Sequence, residues 1–198
     1  EGWALTGAVT FYESDVDFYH CTFSNNLSED GLNIIRSSFS IDHCEVLNTF
    51  ADALDVDFGR GSITNTSFRY LSNDAIDVSG SDIVIENCQI MESKDKGISG
   101  GENSVVRVSD TWIKGTVIGM ASKDFSRITS HGCTIEDCQY GLVAFRKKPE
   151  FGPASIIATD LQMKNIATPY LIEEGSACEA NGEIIDDDSK DVYDIFYL

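Results

Sequence analysis

Positive charge is scarce in this chain. Lysines and arginines number 14 against 33 aspartates and glutamates, for a formal charge of −19 and a pI near 4.2. Such a surface repels nucleic-acid phosphates and anionic membranes, so no nucleic acid is expected as a partner. It favours cations, neutral molecules, or anions bridged by a metal, and the plain alternative is solubility in a salty or extracellular medium. No apolar run approaches the roughly 18–20 residues of a membrane span. No window keeps an i, i+3, i+4, i+7 apolar stripe, so helices are not expected. CxxC spacing is absent, and His20, His43 and His131 are too scattered to assemble a zinc set. No signal peptide is visible, and the chain opens at "EGWALTG" without an initiator Met, as a mature protein or an excised fragment would.

What is present is a period. At 198 residues and 42% hydrophobic content, one domain is expected over 1–198. Gly31, Ala53, Ala75, Gly97, Gly119 and Gly141 recur every 22 residues. An apolar residue follows each: Leu32, Leu54, Ile76, Ile98, Met120, Leu142. Two places further stand Ile34, Val56, Val78, Gly100, Ser122 and Ala144. That alternation describes a strand with one buried face. Two more short strands complete each unit, marked by Phe39/Ile41, Ile83/Ile85 and Val106/Val108, and then by Cys44/Val46, Cys88/Ile90 and Cys133/Ile135. Three short strands in about 22 residues make one coil of a parallel β-helix. The fold class is therefore all-β, a right-handed parallel β-helix of about seven rungs. Regular rungs run over about 8–175, and 176–198 form an irregular terminal segment that packs Ile195, Phe196 and Leu198 over an open end or against a partner.

The period also decides the cysteines. Cys21, Cys44, Cys88 and Cys133 share one inward column. Rungs lie ~4.8 Å apart, so Cys44 and Cys88, two rungs apart, cannot bond; buried free thiols are expected. The pairing of Cys138 and Cys178 stays open. His20 and His43 occupy a column otherwise filled by Asn65, Asn87, Asp110 and Gly132, the residue types of a left-handed bend.

The chemistry lies in carboxylates. "DALDVDFGRG" and "DAIDVSGSDI", starting at Asp52 and Asp74, place Asp55, Asp57 and Asp77 on the outward side of one sheet. Asp55 stacks under Asp77, ~5 Å away, and Asp57 lies ~8 Å from Asp77 on a diagonal. Three readings follow. The trio is catalytic, since that diagonal suits an inverting acid–base pair at ~6.5–9.5 Å. Alternatively it holds Ca²⁺ through hard oxygen ligands, or it fixes turns and solvates a strand face. Lys96 and Lys123 stand in the adjoining outward columns as candidate bases. Asn33, Glu102 and Phe145 join them as candidate substrate contacts. The period then stretches at "FRKKPEFGPA", a loop that brings Arg146, Lys147 and Lys148 over the same face.

The run "SEDGLNI", "ADALDVD", "NDAIDVSG", "DKGISGGE" and "IGMASKD" resembles right-handed parallel β-helix proteins of the pectin-lyase-like superfamily, over about residues 8–175. More narrowly, "GISGGE", "ASKD" and "KKPEFGPA" look like β-helix regions of bacterial surface proteins, including some with CotH-type domains. The resemblance implies an extracellular or cell-surface setting, a polysaccharide or cell-surface glycan as partner, and further domains in a longer chain. A partial similarity to polygalacturonase-type hydrolases puts Asp55, Asp74 and Asp77 in the place of their acids. "KGIS" departs from their pattern, with Lys96 where they carry His. If the chain is an enzyme, the classes implied are polysaccharide lyase, hydrolase or epimerase. The alternative is a non-catalytic structural or adhesive surface module.

Overall fold

The structure, a computed structural model, describes residues 5–198. It is a parallel β-helix with three sheets running its length. The first sheet stacks Gly7–Tyr12, Asp30–Ile35, Asp52–Asp57, Ile76–Ser79, Lys96–Gly101, Ile118–Lys123, Tyr140–Phe145 and Thr168–Ile172, all in parallel. Seven is the strand count of the third sheet alone. The first sheet holds eight, so the solenoid makes about eight turns where the sequence count gives about seven.

The 22-residue period has a simple packing cause. Leu32, Leu54 and Ile76 pair in register, as do Ile76, Ile98, Met120 and Leu142, and all are fully buried. A one-residue slip would turn the whole column to solvent. The Gly/Ala column beside it sits where the third sheet bends into the first. A Cβ at Gly97 would stand 2.8 Å from the Gly119 carbonyl and 2.7 Å from Ile113, so only the smallest residues fit there. Gly61 similarly makes room for the Phe39 ring stacked beneath it.

Each turn closes through three bends in left-handed backbone. His20 (φ 53°), His43 (φ 52°), Asn65 (φ 51°), Asn87 (φ 53°) and Asp110 (φ 48°) form one such column, as its mixed residue types predict. Behind each bend a buried hydroxyl or thiol takes over the ladder. Ser81 Oγ accepts from the Gly59 N–H at 2.9 Å, and Ser104 Oγ from the Ser81 N–H at 3.0 Å. Thr66 Oγ1 accepts from the Cys44 N–H at 3.2 Å, and Cys44 Sγ from the Cys21 N–H at 3.3 Å. At these bends the backbone donors of Gly59, Ser81, Cys44 and Cys21 are thus satisfied. All six cysteines are free thiols, Cys138 and Cys178 included; Cys138 Sγ lies 3.2 Å from Thr116 Oγ1 at the third bend.

The C-terminal segment departs from expectation. After an antiparallel pair, Ala177–Ala180 with Glu183–Ile185, the chain folds back as a short helix, α1 (Val192–Tyr197). It covers the outer face of the first sheet, not the open end. Val192, Phe196 and Tyr197 pack on Ile118, Ala121, Tyr140, Val143, Phe145 and Leu171, while Ile195 and Leu198 face solvent. No helix is long and apolar enough to cross a membrane among the described residues.

Candidate functional site

The outward face of the first sheet carries the acids. The two copies of the repeated motif do different work at their first and second aspartates. Asp52 Oδ1 accepts from the Asp74 backbone N–H at 2.8 Å, and Asp74 Oδ1 from the Lys96 N–H at 2.9 Å. These first aspartates splice the backbone ladder at the strand entrance, which is the turn-fixing reading. The second aspartates do no such work. Asp55 and Asp77 are register partners on adjacent strands, and Asp55 Oδ2 accepts only from Asn33 Nδ2, at 2.9 Å.

Lys123 reaches Asp77 from two rungs away, with Nζ 3.6 Å from Oδ1. It can do so because the intervening strand presents Ser99 and Gly101. The Lys123 stem passes 3.5 Å from where a Gly101 Cβ would stand. Lys123 and Lys96 are both buried. The Lys96 amine is bound by Asp74 at 3.4 Å and by Asp95, and these carboxylates raise its pKa against the pull of burial. Lys96 is thus a paired counter-cation. Tyr197 closes this corner, its ring 4.8 Å from Lys147 Nζ and 6.0 Å from Lys96 Nζ.

Protonation divides the trio. Burial first, then Asp57 and Asp77, push the Asp55 carboxyl up to about 9. Asp57 is raised by burial, Glu102 and Asp77. Asp77 goes the other way: burial is the strongest single influence and works to raise it, but Lys123, Ser99, Lys96 and Lys147 together outweigh burial and hold it below the usual range. At neutral pH the register pair is one acid and one carboxylate. Ser99 lies against Asp77 and helps to hold its carboxyl low, though neither the fully buried Ser99 Oγ nor Asp77 Oδ1 makes a well-formed hydrogen bond.

The loop bases stand elsewhere than their run suggests. Asp124 Oδ1 accepts from the N–H groups of Lys147 at 2.7 Å and Lys148 at 2.8 Å, and Glu173 Oε2 from that of Arg146 at 2.7 Å. Lys148 is ion-paired to Glu102, and Arg146 points away to a cleft with Glu173 and Lys190. Lys147 turns to the face, its amine lowered by burial and by Lys123, and Lys148, beside Glu102, acts on Asp57 from the rim. Phe145 is fully buried under α1, so no ligand touches it while the helix is docked. Asn33 is buried beside Asp55.

Among the described residues no three His, Cys, Asp or Glu side chains converge as a metal set. Asp55, Asp57 and Asp77 do not gather on one point, and the Lys123 ammonium already stands where Asp77 would need a cation. Sequence reasoning missed Tyr197, whose only signal was the aromatic run at the C-terminus, and Asp124, which sits inside the quoted "ASKD".

A family model described as "Right handed beta helix region" matches residues 30–152. No characterised protein matches the chain by sequence. Among solved structures, two catalytic domains of GH87 alpha-1,3-glucanase are similar at 12% identity. One, in complex with tetrasaccharides, has a TM-score of 0.35, and the other, with nigerose, 0.32. This chain is covered to 88% in each case but spans 48% of the glucanase domain, about half its length. HetL, a pentapeptide repeat protein from the cyanobacterium Nostoc sp. strain PCC 7120, is similar at 7% identity and TM-score 0.24, covering 90% of this chain and 92% of that one. No residue role is carried over from these structures.

Proposed function

The chain belongs to the right-handed β-helix family, and on that scaffold we propose an extracellular, carbohydrate-active module whose acidic face works on a glycosidic bond. The observation that carries the reading is the register pair Asp55 and Asp77, one carboxyl held protonated and its neighbour held ionised. Glycoside hydrolysis needs those two states side by side: an acid to protonate the leaving oxygen and a carboxylate to attack or to activate water. Asp55 is the acid and Asp77 the carboxylate. Lys123 is a positioning residue that keeps Asp77 charged. Their strands lie ~4.8 Å apart, so the two carboxyls flank one patch of the face.

The substrate favoured is a neutral glycan. Lys96 and Lys123 are already paired with Asp74, Asp95 and Asp77, so the face has hydroxyl-binding groups to offer but little spare positive charge for a polyuronide. The extracellular setting is supported by the net charge of −19 and by the narrower likeness to bacterial surface proteins. The rival reading, a non-catalytic surface spacer, is favoured by the bend ladders, which run the length of the solenoid whatever the face carries.

The test is a polysaccharide panel, neutral polymers beside polyuronides, assayed for reducing ends and unsaturated products with and without Ca²⁺. Release of reducing ends from a neutral polymer, at least 100-fold lower in Asp55→Asn, is expected, with no dependence on added Ca²⁺. An inert wild type would hand the case to the spacer.

A further inference from the structure

The first six bends between the first and second sheets place one or two residues at positive φ, a conformation a bulky side chain adopts only under strain. Successive turns answer with Glu13, Arg36, Phe58, Gly80, Glu102 with Asn103, and Asp124 with Phe125. Of the two aromatic residues, Phe58 is the one beside the acidic face. It has φ 54°, it is 54% exposed, and it follows directly on Asp57 at the rim of the acidic face. An exposed ring held in strained backbone gains little for the core.

The ring is nevertheless held firmly. It lies on the next turn's Gly80, where a Cβ would come within 2.6 Å of Phe58 Cδ1. Gly80 itself has φ 61°, so this seat depends on glycine. Arg36 sits one turn below with its guanidinium carbon 6.0 Å from the ring centroid, fixed by Tyr12 Oη at 3.3 Å and Glu13 at 3.6 Å. Together with Asp82 and Asn103 these residues line an open cleft of about 370 Å³. Phe125, at a later bend between the same two sheets, is as exposed at 53% and lies on Gly152 beside Phe151, away from the Asp55 and Asp57 turn.

We propose that Phe58 is a sugar-stacking platform, a binding subsite for a neutral pyranose ring beside the acidic face, with Arg36 and Asn103 to hydrogen-bond its hydroxyls. A pyranose presents an apolar C–H face to an aromatic plane and a girdle of hydroxyls to donors around it, and a flat ring with fixed polar neighbours matches both. Phe58 lies three residues beyond Asp55, in the bend just past the end of the strand and at most ~10 Å away along the backbone, so a ring stacked there and a bond cleaved at Asp55 belong to neighbouring units of one glycan. The inference rests on the carbohydrate reading of the face.

The experiment is affinity electrophoresis of the whole chain through gels containing laminarin, dextran, xyloglucan, starch or polygalacturonate. The variants are Phe58→Asn and Phe58→Trp, with melting temperature measured in parallel. Asn suits the left-handed backbone better than Phe, so Phe58→Asn should melt at or above the wild-type temperature. Retardation of the wild type by a neutral polymer, weakened about tenfold in Phe58→Asn and kept in Phe58→Trp, is the expected result. Equal retardation of wild type and Phe58→Asn would overturn the platform and leave the acidic face standing. A wild type retarded by none of the neutral polymers would sink both.

Discussion

The two halves of the first sheet's outer face share one backbone and carry opposite chemistry. Over Asp30–Ile35, Asp52–Asp57 and Ile76–Ser79 the outward positions include Asp30, Asn33, Asp52, Asp55, Asp57 and Asp77, with Ile35 and Ser79 in register with Asp57. Over Ile118–Lys123 and Tyr140–Phe145 the same columns read Ile118, Ala121, Tyr140, Val143 and Phe145, with Lys123 in register with Phe145. Of the two inward columns, the one from Leu32 to Leu142 stays large and apolar, while the other narrows from Ile34, Val56 and Val78 to Gly100, Ser122 and Ala144. Core packing therefore keeps charge out of the inward positions in every turn and leaves outward ones to whatever covers them: α1 on the apolar half, solvent or a ligand on the acidic half. The strand Lys96–Gly101 is the border, where Lys96 and the reach of Lys123 across Gly101 tie the halves together.

That border offers the sharpest way to break the contrast. Lys123→Met should strand the Asp77 carboxylate against a half-closed face, costing about 3 kcal/mol at pH 8. The loss should shrink at pH 5, where an unassisted Asp77 takes up a proton. Urea unfolding at the two pH values checks this, and an equal loss at both would mean that the pair does not hold Asp77 charged. Next in size is Val192→Asp, which puts a charge into the fully buried anchor of α1. The helix should undock at a cost of about 2 kcal/mol, seen as faster amide exchange across Ile118–Lys123 and Tyr140–Phe145 while Asp52–Asp57 stays protected. Uniform loss of protection would show that the halves are one cooperative unit.

A last test uses pH. Burial and the neighbouring carboxylates push the Asp55 carboxyl up to about 9 in the fold, against ~3.9 unfolded, so between those values the folded state binds more protons. Stability must then fall as pH rises through that window. Asp55→Asn keeps an acceptor for Asn33 and removes the titration. It should match the wild type below pH 4 and melt higher at pH 9, with the gap widening as pH climbs. Identical melting curves at pH 9 would place Asp55 in ordinary water.

Much of the fold was legible because stacking turns that repeat every 22 residues must repeat their inward side chains. The columns from Leu32 to Leu142, the bends at His20 and His43 and the free thiols follow from that spacing alone. The site was legible only as a set of columns. Position in a column says which strand face a carboxylate leaves, but not whether it splices a backbone ladder, as Asp52 and Asp74 do, or turns to the open face, as Asp55 does.

By itself the sequence determined the period, the buried columns and the stacking of Asp55 under Asp77, since each depends on local spacing and one register. Only the tertiary structure decided that Lys123 would reach back to Asp77, that Phe145 would be buried, and that a C-terminal helix would cover half of the face. Those contacts join residues two turns apart or the chain's last segment to its middle. Their energy comes from side chains meeting in space, which no periodicity in the chain encodes.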